Sequence, residues 1–237
     1  MITNRQFILS VPSWVIPGTY AENLRFLENK KDIDGVELLF FMYDDEIKKQ
    51  LDSEWDEIVS FSGRFVFTAH LPERLLPVHN ELIKKLAPIV RHFIVHPDIN
   101  NISAQVKLLS DFSETFQIPF LTENTNPGYL DKLLPFLDKN NGMCMDTGHL
   151  LLDGKDPANY FSEYGNRIKE IHLHGTNREK AVIDGRLADH RSLRGNEPWL
   201  AELFLLLKNY SGVINLEMFS WDEIAASIPC INGNSFF

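Results

Sequence analysis

Short β-rich runs recur along the chain, and between them lie longer stretches in which apolar residues return every three or four positions. The short runs, at 7–11, 35–40, 64–70, 91–96, 118–123, 142–146, 168–174 and 212–219, predict eight strands. The longer stretches, at 21–29, 45–61, 75–90, 102–116, 129–139, 157–164 and 198–210, carry helical spacing, and 221–228 predicts a short last helix. Strand-then-helix units in series imply parallel crossovers, and 237 residues suit one closed (β/α)8 TIM barrel spanning 1–237. An open doubly wound sheet fits less well. Its first turn would carry a glycine-rich phosphate loop, and the turn here reads Val11-Pro12-Ser13-Trp14.

Alternation within the strands sorts the residues by face. In 64–70, Phe65, Phe67 and Ala69 point one way and Val66, Thr68 and His70 the other. The pattern repeats with Glu37, Glu123, Asp146, His172, His174 and Glu217, each opposite an apolar set. One face is apolar enough to lie under helices, while the other carries an ionisable residue near the C-terminal end of its strand, where barrels build their sites. Six histidines, His70, His96, His149, His172, His174 and His190, lie at or just beyond such ends. His79, in a helical stretch, and His92, at a strand start, read as ordinary structural residues.

Gathering carboxylates and imidazoles in a barrel mouth is unfavourable unless they pair or bind a cation. Their mixed nitrogen and oxygen donors suit zinc, manganese, iron or cobalt, and the number of donors is enough for two or three divalent ions. Composition adds limits. The net charge of -10 counts against an electrostatic grip on nucleic acid or an anionic membrane, and no run is long enough to span a bilayer. Two cysteines cannot form a disulfide framework, and no targeting segment stands out, which points to the cytoplasm. A serine nucleophile elbow and a P-loop are both missing from the sequence.

The segments Thr68-Ala69-His70, Val95-His96-Pro97, Thr122-Glu123-Asn124, Met145-Asp146-Thr147-Gly148-His149, Ile171-His172-Leu173-His174-Gly175 and Asn215-Leu216-Glu217 resemble the xylose-isomerase-like TIM barrels, which include endonuclease IV and many sugar isomerases and epimerases. That resemblance implies that Glu123, Asp146, His172 and Glu217 are core metal ligands. It further implies that His70, His96 and His149 are the added ligands of the polynuclear branch, and that His190 is its late histidine. Ala188 stands where that branch has an aspartate, with Asp189 adjacent. Ser13-Trp14-Val15-Ile16-Pro17-Gly18-Thr19, with the segments around His70, His96 and His172, looks most similar to the cobamide-remodelling phosphodiesterases.

The leading expectation is therefore a metal-dependent phosphodiester hydrolase acting on a small-molecule substrate, a cobamide, and releasing a cobinamide and an α-riboside phosphate. Glu123 and Glu217 would be its catalytic carboxylates, with Glu37, His174, Arg178 and Asp189 facing the substrate. The alternative is a sugar isomerase or epimerase, in which Glu123 and Glu217 exchange a proton with the substrate. Arg178 falls where that branch places a substrate-binding arginine, although His70 and His96 are surplus to a one-metal site. An apurinic-site endonuclease and a non-catalytic metal-binding barrel follow.

Overall fold

The computed structural model describes residues 5–98, 100–125, 141–176 and 189–232. Eight strands close into a parallel barrel in sequence order: β1 (Ile8–Pro12), β2 (Gly35–Leu39), β3 (Val66–His70), β4 (Val90–Val95), β5 (Phe120–Glu123), β6 (Gly142–Asp146), β7 (Ile168–His172) and β8 (Val213–Asn215), with β8 pairing to β1. The described helices are α1 (Tyr20–Leu27), α2 (Asp45–Ser60), α3 (Asn80–Leu86), α4 (Ile102–Phe116), α5 (Thr147–Leu152), α6 (Pro157–Tyr164), α7 (Pro198–Leu206) and α8 (Trp221–Asn232). The predicted helix at 129–139 lies outside the described residues.

Local chemistry sets the helix starts. Thr19 and Glu22 form a reciprocal capping box on α1; Asp44, Asn101 and Asp156 accept from first-turn amides of α2, α4 and α6. Two predicted helices shorten. The stretch 75–90 becomes a 3-10 turn at Pro77–His79 and then α3, because proline fits only the opening turn. The stretch 198–210 ends its α-helical part at Leu206 and tightens into a 3-10 turn at Leu207–Asn209. The predicted strand at 212–219 hydrogen-bonds as a strand only through Asn215, after which Met218 N donates to Leu216 O as the chain turns.

The two faces of the sheet have different jobs. Phe65, Phe67, Ala69, Phe93 and Phe120 belong to the main apolar core that includes residues of the surrounding helices. Inside the barrel the described residues include a small apolar cluster, Ile94, Leu121 and Cys144. A buried polar set fills much of the interior: Ser10, Glu37, Thr68, His92, Glu170, His172 and Asn215. His92 Nε2 lies 2.5 Å from Glu170 Oε2, and Thr68 Oγ1 donates to Glu170 Oε1 at 3.4 Å. Burial raises Glu170 to about 7 and lowers His92 to about 3, so between those values the pair shares one proton and carries no net charge.

The His92–Glu170 pair closes the barrel interior below the mouth, and its loss has a defined signature. Glu170→Leu leaves His92 without its partner and should lower unfolding free energy by about 1–3 kcal/mol in urea denaturation. Glu170→Gln, which keeps shape and a hydrogen-bonding group, should lose less; equal losses would show that the pair contributes only volume.

Candidate metal centre and active site

The C-terminal ends of β3, β5, β6 and β7, with the segments after β4 and β8, bring the ionisable residues together. Glu123, ending β5, is at the centre of one half. Its Oε2 lies 3.1 Å from His70 Nε2 and 3.3 Å from His96 Nε2, and its Oε1 lies 3.5 Å from His149 Nε2. Glu217 is at the centre of the other half, with Oε2 3.0 Å from His172 Nδ1 and 3.7 Å from His190 Nδ1. His172 joins the halves, since the same Nδ1 is 3.9 Å from Glu123 Oε2 and 4.0 Å from Asp146 Oδ2. Four donor sets converge closely enough to hold a cation at this mouth: His70–His96–Glu123, Glu123–Asp146–His149, Asp146–His172–Glu217 and His174–His190–Glu217.

A cation fits because the protein alone leaves donors unmatched. Both ring nitrogens of His172 are fully buried and lack a well-aligned hydrogen bond, although carboxylates approach within 3.0 and 3.1 Å. Without a cation the charges settle as protonated imidazoles against carboxylates. Burial would raise Glu123, but hydrogen bonds from His70 and His96 and the charges of His96 and His172 hold it well below the usual carboxylate range. Burial would lower His96, yet Glu123 and then Glu73 push it up to about 9; Asp146 does the same for His174, also to about 9.

The segment Asp146-Thr147-Gly148-His149 combines a strand end with a helix start. Asp146 accepts from His149 N at 2.6 Å as the N-cap of α5, which aims both side chains at Glu123. Asn124 exchanges two hydrogen bonds with the Asp146 backbone, at 2.7 and 2.9 Å. Thr147 Oγ1 meets the backbone of His172 and His174 at 3.0–3.1 Å. Gly148 must lack a side chain, because a Cβ there would overlap the His174 ring.

The structure places the expected residues as follows. His70, His96, Glu123, Asp146, His149, His172, His190 and Glu217 all meet at the mouth. Glu37 and His174, expected to face the substrate, are fully buried: Glu37 lies 3.1 Å from His172 Nε2 and accepts from Asn215 Nδ2, and His174 Nε2 contacts Asp146 Oδ2 at 3.0 Å. These are positions from which a side chain orients its neighbour. Asp189 Oδ2 is 4.0 Å from His190 Nε2, and His190 adopts a left-handed φ of 50° while its Nδ1 meets Glu217 O at 2.8 Å. Arg178 and Ala188 lie outside the described residues. His92, read as an ordinary structural residue at a strand start, is a buried residue satisfied by its interior partner Glu170. Its partner Glu170 shares the alternation of His172 and His174, which is the signal that could have marked it.

The family model of the xylose isomerase-like TIM barrel matches residues 78–231, and the chain belongs to that family. A curated relative, inosose dehydratase from Lacticaseibacillus casei, is 38% identical over 64 residues, 27% of this chain and 21% of that protein, so the match spans about a fifth of the relative's length. Among solved structures, 3-keto-D-glucoside 4-epimerase YcjR from E. coli superposes with a TM-score of 0.67 at 12% identity, covering 95% of this chain and 97% of that one. The IOLI protein with a bound zinc atom gives a TM-score of 0.64 at 14% identity, covering 94% and 92%.

These findings correct the leading functional expectation. The relatives are named for dehydration and epimerisation of sugar-like compounds, so neither phosphodiester hydrolysis nor the likeness to cobamide-remodelling enzymes is supported. A histidine-rich ligand set specifies cation binding and leaves the reaction at the cation open. No described helix is long and apolar enough to cross a membrane.

A pH dependence follows from the imidazoles. His96 and His174, held to about 9, carry protons at neutral pH that a cation must displace. Affinity for Zn²⁺ should therefore rise as pH increases toward 9, and binding should acidify a weakly buffered solution. Calorimetry in buffers of different ionisation enthalpy measures the protons released; a value of zero would contradict this charge arrangement.

Proposed function

We propose that the chain is a metal-dependent isomerase or epimerase of a polyhydroxylated carbonyl compound, with dehydration of such a compound as the closely related outcome. The observation that carries this reading is the placement of two carboxylates, Glu123 and Glu217, 3.9 and 3.0 Å from the single nitrogen His172 Nδ1. Both are nearly inaccessible, at 2% and 3% exposure, and both are held ionised by neighbouring imidazoles. A substrate seated between them presents a carbon next to its carbonyl to one carboxylate, and the other lies across the site to return the proton to the opposite face. Bound cations would supply Lewis-acid stabilisation of the negative charge that develops on the substrate oxygens. Family membership and the epimerase and dehydratase relatives support the same class.

The donor sets support more than one cation. Glu123 belongs to two of them and Glu217 to two others, so each carboxylate is suited to bridging. Zinc, manganese, iron and cobalt match this mixture of imidazole and carboxylate, and zinc is the metal bound in the IOLI structure. Cys144 and Cys230 are not joined by a disulfide, which suits a reducing cytoplasm.

Incubation with ketoses and keto-inositols in D2O, followed by NMR, should show deuterium entering the carbon next to the carbonyl. Glu123→Gln and Glu217→Gln should each lower that exchange by about 10²–10⁴-fold with little change in circular dichroism. Full exchange in either variant would remove that carboxylate from the proposed pair. Elemental analysis of the purified protein should find at least two ions per chain, falling by about one in His96→Ala.

A further inference from the structure

A large apolar surface adjoins the donor cluster and has no part in the chemistry above. Trp14 follows β1, Phe41 and Met42 follow β2, and Phe219 follows β8, all at the C-terminal mouth. Trp14, Met42 and Phe219 are 51%, 70% and 41% exposed. The Phe41 ring lies 4.5 Å from the His70 ring and 6.3 Å from Phe219, and Phe219 lies 4.8 Å from His190. Trp14, Ile16, Pro17, Phe41 and Phe219 line a concavity of about 460 Å³, and none of them carries a charged or amide side chain. The apolar wall therefore reaches the candidate metal centre through Phe41 and Phe219.

The exposure of Trp14 is built in by its surroundings. Asn23, fully buried, accepts from Val15 N at 2.8 Å and Ile16 N at 3.0 Å, and it donates to Ile16 O and Thr19 O. Ser13 Oγ accepts from Leu39 N at 3.1 Å, and Trp221 N donates to Val15 O at 2.8 Å. Three elements thus hold the loop in the one shape that presents the indole at the mouth. Presenting apolar rings to water is unfavourable unless a ligand covers them.

We propose that this concavity is a subsite for a flat apolar substituent of the substrate, an aryl group joined to the sugar-like part that sits at the carboxylates. The identity of that polar part rests on the isomerase reading; the subsite does not. A second sugar ring is the poorer occupant, because these five side chains offer its hydroxyls no partner beyond the indole N–H of Trp14, so it would cover less of the apolar surface than an aryl ring does. An aryl ring needs none and stacks on indole and phenyl faces.

The test compares phenyl β-D-glucoside, methyl β-D-glucoside and cellobiose by calorimetric titration of the purified protein. The sugar at the polar end is the same in all three, so differences read the subsite alone. Phenyl glucoside should bind about tenfold more tightly than methyl glucoside. Trp14→Ala should erase that gain while keeping the metal content and unfolding midpoint, and Trp14→Phe should restore most of it. Phenyl glucoside binding no more tightly than methyl glucoside, cellobiose binding more tightly than phenyl glucoside, or a gain that survives Trp14→Ala would each overturn the subsite. A preference for the phenyl compound in a protein that exchanges no substrate proton would support the subsite and sink the isomerase reading instead.

Discussion

A carboxylate shut away from water needs hydrogen-bond donors or positive charge within a few ångströms, and Glu123 lies 3.1, 3.3 and 3.5 Å from the imidazoles of His70, His96 and His149. Glu217 and Asp146 face the same constraint and draw on His172, His174 and His190. Meeting it fixes much of the mouth. The strand ends must stop where these side chains converge, Gly148 must make room for His174, and Asn124 and Thr147 must hold the backbone that carries Asp146, His172 and His174. Protonated imidazoles satisfy the carboxylates only while pH is low enough to keep them charged, whereas cations satisfy carboxylates and neutral imidazoles together.

The polar interior extends this logic downward. Glu37, hydrogen-bonded by Asn215, approaches His172 from below, and Glu170 pairs with His92 beneath. Holding the second nitrogen of a metal-binding histidine is how proteins fix the direction of the first. The small apolar cluster of Ile94, Leu121 and Cys144 is separate from the much larger outer core beneath the helices, on which the barrel's cohesion mainly rests.

Much of this was readable from the chain. Strand alternation put His70, Glu123, Asp146, His172 and Glu217 on the inner face, and parallel closure then required them to meet, because all eight strands point the same way. Several features were not readable. His92 sits in a strand like any half-buried residue, and only the barrel's closure brings it to Glu170 from three strands away. The burial of Glu37 and His174 depends on depth along the barrel axis, which alternation does not encode. Helix α5 was hidden because Asp146-Thr147-Gly148 reads as a turn, and only the Asp146 cap turns it into a helix start. Reaction class was the least legible, since the same donors can serve many chemistries on one scaffold.

A cation held by the buried carboxylates and imidazoles would stabilise the folded mouth. Thermal unfolding of one preparation, with a strong chelator and then with excess Zn²⁺ or Mn²⁺, tests it most directly. A clear rise in midpoint is expected on adding the cation, larger at pH 8 than at pH 6, because a ligand that binds only the folded state stabilises it and competes with protons for the same donors. Midpoints that coincide with and without the cation at both pH values would contradict it.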